Sequence, residues 1–280
     1  MKRLLAWDTS SKTGAIVALE WDAAAGGGDS SWNDVRLVTE LTLNVDSSSH
    51  SDRLLWGIHQ SLEAARWRLE EVDVFAVGIG PGSFTGLRIG VTTARTMAHT
   101  LQKPLVGVSS LAALARPVAM NLSQGPEPVL VIAATDACKG ELFALWGDAK
   151  AIAKSNDPDH WPRGVYEGVW TPPELMQKLN RRLHPEGSAR KSKSRWVVVG
   201  EGRERYQDAW AQLPARQRLE APGIFEDKIQ GRYLGMLAWE RVKQGLCEKA
   251  LEVKPRYLRA SDAEVKLKKG LLPKVETLGV

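Results

Sequence analysis

Apolar positions along this chain change period near residue 50, and that change divides its first hundred residues into strands followed by helices. Residues 4–7 and 15–19 are short apolar runs joined by Asp8-Thr9-Ser10-Ser11-Lys12-Thr13-Gly14, which predicts two strands and a polar turn ending in glycine. Residues 23–31 are a Gly/Ala-rich excursion with nothing to pack, read as a hairpin tip, and 35–45 alternate as a third strand. Past Ser48-Ser49-His50-Ser51 the spacing becomes three and four: Leu54/Leu55, Ile58, Leu62 and Ala65 predict a helix over about 52–68. Ser49 or Ser51 is placed to cap it, with Asp52 in its positive first turn. After Asp73 the run to residue 79 has no polar alternation, as expected of a strand covered on both faces. Gly80-Pro81-Gly82-Ser83 then turns the chain into a helix over about 84–101, Pro104 stops it, and 105–108 form another buried strand.

The order is therefore βββαβαβ, and a second unit begins near Ser109. Residues 129–134 and 141–146 read as two strands around the polar turn Thr135-Asp136-Ala137-Cys138-Lys139-Gly140, echoing the opening hairpin and suggesting an internal duplication. Residues 150–164 are polar and Pro-rich, hence loop; 196–200 read as a strand and 227–243 as a helix. The division expected is a first lobe over 1–109, a second over 110–259 and a basic tail over 260–280.

Composition narrows this picture. The chain has 280 residues, 43% hydrophobic and 25% charged, enough for two cored lobes of a soluble protein. No stretch nears the ~20 apolar residues of a membrane helix, and the N-terminus meets Asp8 too early for a secretory segment. Cys138 and Cys247 are far apart with no metal-site spacing, which points to a reducing cytoplasm. The net charge of +5 favours an acidic partner. Its excess gathers at Arg190, Lys191, Lys193 and Arg195, and along Lys254, Arg256, Arg259, Lys266, Lys268, Lys269 and Lys274. Such runs are ordinarily solvated surface; contact with tRNA or another polyanion stays open.

Three segments could carry chemistry. Residues 78–90 combine a strand, a glycine-rich turn and a helix N-terminus, the ingredients of an anion site. The nucleotide signatures fail, however: Walker A lacks its lysine, and G-x-G-x-x-G would need glycine at Thr85. Within the helix, Gly86, Gly90, Ala94 and Ala98 repeat every four residues and leave one ridge without bulk, while Leu87, Val91 and Leu101 supply a core side. Each helical glycine costs about 0.8–1.0 kcal/mol against alanine, so the ridge implies a backbone lying close, in this lobe or in a partner. The Asp8-Thr9-Ser10 turn could hold a phosphate as in sugar kinases and actin, or be an ordinary Asx turn. Metal and nucleophile chemistry find no support: His50, His59, His99, His160 and His184 form no HExxH pair, and there is no G-x-S-x-G.

Several motifs together carry a resemblance. They are Asp8-Thr9-Ser10, His50-Ser51-Asp52-Arg53-Leu54-Leu55, the run from Gly80-Pro81-Gly82-Ser83-Phe84 to Gly90, Pro104-Leu105-Val106-Gly107-Val108-Ser109-Ser110-Leu111, the 136–143 hairpin, Val198-Val199-Gly200 and Pro255-Arg256-Tyr257-Leu258-Arg259. In these the chain resembles the bacterial TsaB (YeaZ) family, densely over the first 115 or so residues and sparsely but collinearly after. The resemblance implies an α/β actin-like (ASKHA, ribonuclease H-like) fold of two lobes, each with a central mixed sheet flanked by helices. It implies a non-catalytic subunit that supports a TsaD-like transferase in forming N6-threonylcarbamoyladenosine on tRNA, with a TsaE-like ATPase joining and tRNA bound through the complex. The family's partner contact maps onto the first lobe's two helices, here His50, Leu54, Leu55, Ile58, Gly86, Arg88, Gly90, Ala94 and Met97. A homodimer through the same patch stays open. No cofactor or metal is expected in this subunit, though a nucleotide at the subunit interface, or an anion on Asp8, Thr9, Ser10, Gly82 and Ser83, stays open. The alternative reading is an actin-fold small-molecule kinase or nucleotide-binding protein. Departures from the family pattern are Asp52 in place of a frequent glutamate, apparent insertions at 23–31, 150–164 and 184–195, and the length of chain after Arg259.

Overall fold

Strand β1 (Lys2–Asp8) is buried on both faces: Leu4 and Ala6 enter one apolar cluster, Leu5 and Trp7 another. In this computed structural model, which describes residues 1–22, 34–44, 50–184, 194–220 and 227–259, everything in the first lobe is arranged around that strand. β2 (Thr13–Trp21) pairs antiparallel with it, and β3 (Val35–Asn44) antiparallel with β2. Helix α1 (His50–Ala65) returns the chain to β4 (Val74–Gly80), parallel to β1, and α2 (Phe84–Thr100) leads to β5 (Leu105–Ser109), parallel to β4. The sheet order is β3-β2-β1-β4-β5.

After α3 (Ser110–Ser123) the scheme repeats. β6 (Val129–Asp136) pairs antiparallel with β7 (Leu142–Asp148). The short α4 (Ala149–Lys154) precedes β8 (Tyr166–Trp170), antiparallel to β7. α5 (Pro172–Leu183) then leads to β9 (Arg195–Val199), parallel to β6. The order β8-β7-β6-β9 is that of the first sheet without its last strand. The echo between the two hairpins in the sequence is thus an echo of whole sheets. Short α6 (Gly202–Arg205) and α7 (Gln207–Trp210) and the longer α8 (Gly231–Lys243) complete the described elements.

Two central helices join the sheets. α8 packs across β1 and β2, α3 packs across β6, and the helices touch each other. Gly231 and Gly235 let α8 sit close: a Cβ at Gly231 would lie 2.9 Å from the Ile16 carbonyl, and one at Gly235 2.5 Å from Leu19 Cδ1. α8 falls in the 110–259 stretch by sequence, yet its packing belongs to the first sheet. α1 and α2 cover the other face of the first sheet, and Leu175, Met176, Leu179 and Leu183 of α5 cover the outer face of the second.

The structure corrects several sequence expectations. The 150–164 loop opens with α4, and the last helix begins at Gly231 rather than 227. β8 and α5 were not expected; Thr171 caps α5 by donating from its amide and its hydroxyl to Glu174, at 3.0 and 2.8 Å, with Pro172 at the first helical position. Arg195, placed in a basic cluster, lies in β9 and pairs with Glu127 at 3.3 Å. Ser51, one of the two cap candidates, lies inside α1; the other, Ser49, the hairpin tip at 23–31, the cluster members Arg190, Lys191 and Lys193, and the tail at 260–280 lie outside the described residues. Among the described residues no helix is long and apolar enough to cross a membrane.

Between the lobes, Arg116 of α3 is buried and donates to Glu240 of α8 at 2.8 Å, to the Ser155 carbonyl at 2.9 Å and to the Ala153 carbonyl. Removing one partner of a buried pair leaves the other charge uncompensated. Arg116→Met should therefore destabilise the chain by about 3–5 kcal/mol in urea unfolding, and Arg116→Met with Glu240→Leu should recover much of that loss. Equal loss in single and double variants would show that packing, not the charge pair, matters there.

Candidate functional site

The turn after β1 is built on a buried carboxylate. Asp8 is inaccessible to solvent. Its Oδ1 accepts from the Ser10 amide at 2.7 Å and the Ser10 hydroxyl at 2.6 Å, and its Oδ2 accepts from the Ser110 hydroxyl at 2.5 Å. Ser110 Oγ in turn accepts from the Gly80 amide at 3.1 Å, so Asp8 ties together the β1 turn, the start of α3 and the β4–α2 turn. Burial pushes its carboxyl above the usual range, while the bonds from Ser10 and Ser110 oppose that shift. Gly78 is required here, since a Cβ would lie 1.8 Å from Asp8 Oδ2.

The remaining turn residues also bind one another. Thr9 Oγ1 donates to the Gly86 carbonyl at 2.7 Å, the Ser83 amide donates to the Ser10 carbonyl at 2.7 Å, and Ser83 Oγ accepts from the Gly86 amide at 3.2 Å. A Cβ on Gly82 would stand 2.3 Å from the Ser10 carbonyl. The sequence grouped Asp8, Thr9, Ser10, Gly82 and Ser83 as a candidate anion loop. The structure does bring them together, but the Ser10 amide and hydroxyl, the Thr9 hydroxyl and the Ser83 amide all have acceptors inside the chain.

Beside this turn lies a cavity of about 340 Å³ between the lobes, with Ser10, Lys12 and Ser110 on one side and Thr135, Glu201, Glu204 and Asp227 on the other. The counterpart turn at the end of β6 is tied down as well. Asp136 accepts from the Cys138 amide at 3.0 Å and the Tyr206 hydroxyl at 2.8 Å, and pairs with Arg205 at 3.0 Å. Burial, together with donation to Asp136, pushes the Tyr206 hydroxyl up to about 12. Ser110 and Tyr206, which organise the two turns, escaped the sequence reading; the Ser109-Ser110 pair ahead of an apolar helix was the available signal.

The helix face requires a correction. The row Gly86, Gly90, Ala94 and Ala98 does not face a partner; it is buried against this lobe's own β1 and its turn. A Cβ at Gly86 would lie 2.0 Å from the Thr9 carbonyl and one at Gly90 2.2 Å from Thr9 Oγ1, while Trp7 Nε1 donates to the Gly90 carbonyl at 3.0 Å. Leu54 and Ile58, also assigned to the partner face, are core residues. Of the expected set, Leu55 (50% exposed) and Arg88 stand in solvent and Met97 is half-buried; His50 opens α1, and its side chain lies outside the description. Two aromatic residues not assigned to that face join them: Trp56 of α1 is 55% exposed and Phe84 of α2 37%. Trp56 lies off the three-and-four spacing, which by itself marks it as outward. Arg88 stacks its guanidinium 4.1 Å above the Phe84 ring.

Two lobes of the same strand order, joined by central helices over an inter-lobe cleft, define an α/β protein of the actin-like class. The family described as "TsaD: tRNA N6-adenosine threonylcarbamoyltransferase" matches residues 44–159. The Escherichia coli tRNA threonylcarbamoyladenosine biosynthesis protein TsaB is 29% identical over 181 residues, 63% of this chain and 67% of that one. Its Bacillus subtilis namesake is 36% identical over 112 residues, 40% of this chain and 43% of that one. The solved YeaZ from Pseudomonas aeruginosa superposes with a TM-score of 0.64 at 26% identity, covering 92% of this chain and all of that one. Together these similarities support assignment of the chain to the TsaB (YeaZ) family.

Two predictions follow from the turn. Gly90→Ala should destabilise the first lobe by about 1–3 kcal/mol through overpacking against Thr9, read as a lower urea midpoint; an unchanged midpoint would mean that α2 moves away freely. Asp8 has its folded pKa raised, so the folded state holds the proton more tightly than the unfolded chain does. Its contribution to stability therefore falls as pH rises from about 4, the unfolded aspartate value, through the raised folded value. Wild type should lose stability relative to Asp8→Asn over that range; a difference independent of pH would contradict the assignment.

Proposed function

We propose that this chain is a non-catalytic partner subunit in forming N6-threonylcarbamoyladenosine on tRNA, docking a TsaD-type transferase on the outer face of α1 and α2. The observation that carries the reading is the exposure of Leu55 and Trp56 on α1, next to core residues Leu54 and Ile58 of the same helix. Large apolar side chains held in water on a rigid helix are typical of binding surfaces, and an aromatic anchor is the usual centre of one. On α2, Phe84 is likewise exposed and Arg88 stacks on it.

The inward bonding of both turns supports the non-catalytic part of the proposal. A phosphate-transfer site needs donors directed at the ligand, whereas Thr9, Ser10 and Ser83 direct theirs at Gly86, Asp8 and Ser10. In this reading a TsaE-type ATPase supplies nucleotide chemistry to the assembly and tRNA is reached through the complex.

The test pairs the purified chain with TsaD-type and TsaE-type proteins of the same organism. Wild type should restore tRNA modification to that mixture. Trp56→Ala should weaken capture of the transferase about thirtyfold, the effect of losing one anchor of about 2 kcal/mol, with an unchanged urea midpoint because the side chain is exposed. Full modification without this chain would end the proposal. Undiminished capture by both Trp56→Ala and Leu55→Glu would move the interface elsewhere.

A further inference from the structure

The last described residues, 253–259, touch both lobes in a way that neither the cleft nor the partner face accounts for. Val253 is buried with the first lobe's outer core. The Arg256 amide donates to the Ile79 carbonyl at 2.7 Å, at the end of β4. The Arg256 side chain then crosses to the second lobe, pairing with Glu167 of β8 at 2.6 Å and donating to the Pro158 carbonyl. The Glu167 side chain is 0% exposed, so the pair is shielded from solvent. Glu167 also accepts from Ser109 Oγ at 2.5 Å and from Trp161 Nε1 at 3.2 Å, which satisfies a carboxylate that burial alone would disfavour. Next along the chain, Tyr257 stacks on Phe84 with ring centroids 4.9 Å apart, back on the first lobe. Arg259 returns to the second lobe, donating to the Ala137 and Cys138 carbonyls and pairing with Glu141 at 3.3 Å. Four consecutive anchors therefore alternate between the lobes: Ile79, Glu167, Phe84, and the β6–β7 turn.

We propose that residues 253–259 are an inter-lobe strap that locks the cleft at one opening and fixes the first turn of α2. The backbone already passes between the sheets at Ser109–Ser110 and again ahead of α8. Two such crossings permit a hinge; the strap adds a second shielded side-chain link to the Arg116–Glu240 pair and removes the freedom that remains. The same strap covers the Gly80 turn, with the Arg256 carbonyl 3.4 Å from where a Gly80 Cβ would stand, so the outward pose of Phe84 and Arg88 depends on it. The lock concerns the isolated chain and stands or falls independently of any partner.

Hydrogen exchange on the full chain tests it, using Glu167→Gln and Arg256→Met. The first keeps the shape at residue 167 and one oxygen to accept from Trp161, its amide nitrogen facing the Ser109 hydroxyl, while removing the charge that holds Arg256. Amides of residues 79–86 and 135–141, in different lobes from one another, should exchange about tenfold faster in both variants, with β1 and β6 unchanged. Tyr257→Ala should free only 79–86, and Arg259→Met only 135–141. Faster exchange confined to 253–259 and 165–169 would show an ordinary docked terminus and overturn the strap. A uniform rise through β1 and β6 would equally overturn it, because the contacts would then serve global stability rather than a lock.

Discussion

The Asp8 carboxylate is the constraint on which the first lobe depends. An ionisable group without solvent access must have its acceptors filled, and here they are filled from three separate segments: Ser10 of the β1 turn, Ser110 at the start of α3, and, through Ser110, the Gly80 amide. That requirement draws the β4–α2 turn onto the β1 turn and leaves no room for side chains at Gly78 or Gly82. It also brings α2 against Thr9, and closeness of that order is possible only because Gly86 and Gly90 carry no Cβ. The glycine-rich motif is thus the complement of a buried acid. Its resemblance to a phosphate cradle is one of outline, since several of its donors are already bound within the chain.

The second lobe follows the same plan with different means. Asp136 ends β6 as Asp8 ends β1, but its partners are Tyr206, Arg205 and its own turn rather than a helix start. Its turn carries positive φ at Cys138, Lys139 and Gly140 and is held from outside by Arg259. Arginine and tyrosine reach across distances that serine cannot, so the second turn can be secured without a glycine-lined helix packed on it. This accounts for the absence of a second GPGSFTG-like run despite the repeated sheet.

Much of the first lobe was legible because its periods are clean: β1 is buried on both faces, and α1 shows its core residues at three and four. The family resemblance was legible for the same reason, since the motifs that carry it are those around Asp8 and Gly80–Gly90. β8 was hidden because it is a half-exposed edge strand of five residues containing a glycine, with no alternation to read. α5 does carry a signal, Leu175, Met176, Leu179 and Leu183 after a Thr-Pro-x-Glu start, but the polar, Pro-rich stretch ahead of it masks that signal. The direction of the small-residue ridge was not legible at all. A bare row requires a close neighbour and does not say which, and only the position of Thr9 decides it.

That decision reverses the logic of the partner face. If glycines faced outward, affinity would come from two backbones in contact, and any side chain added there would act on binding alone. With the glycines turned inward, α2 lies deep against β1, and the residues left outside are those of the opposite helical face together with Leu55 and Trp56 on α1. The surface then rests on side-chain anchors over a tightly packed support, and its geometry is inherited from the buried acid beneath. Stability of the turn and shape of the face are therefore not independent properties. A substitution at Gly86 or Gly90 acts on binding only by first displacing the helix, whereas one at Trp56 acts on binding directly.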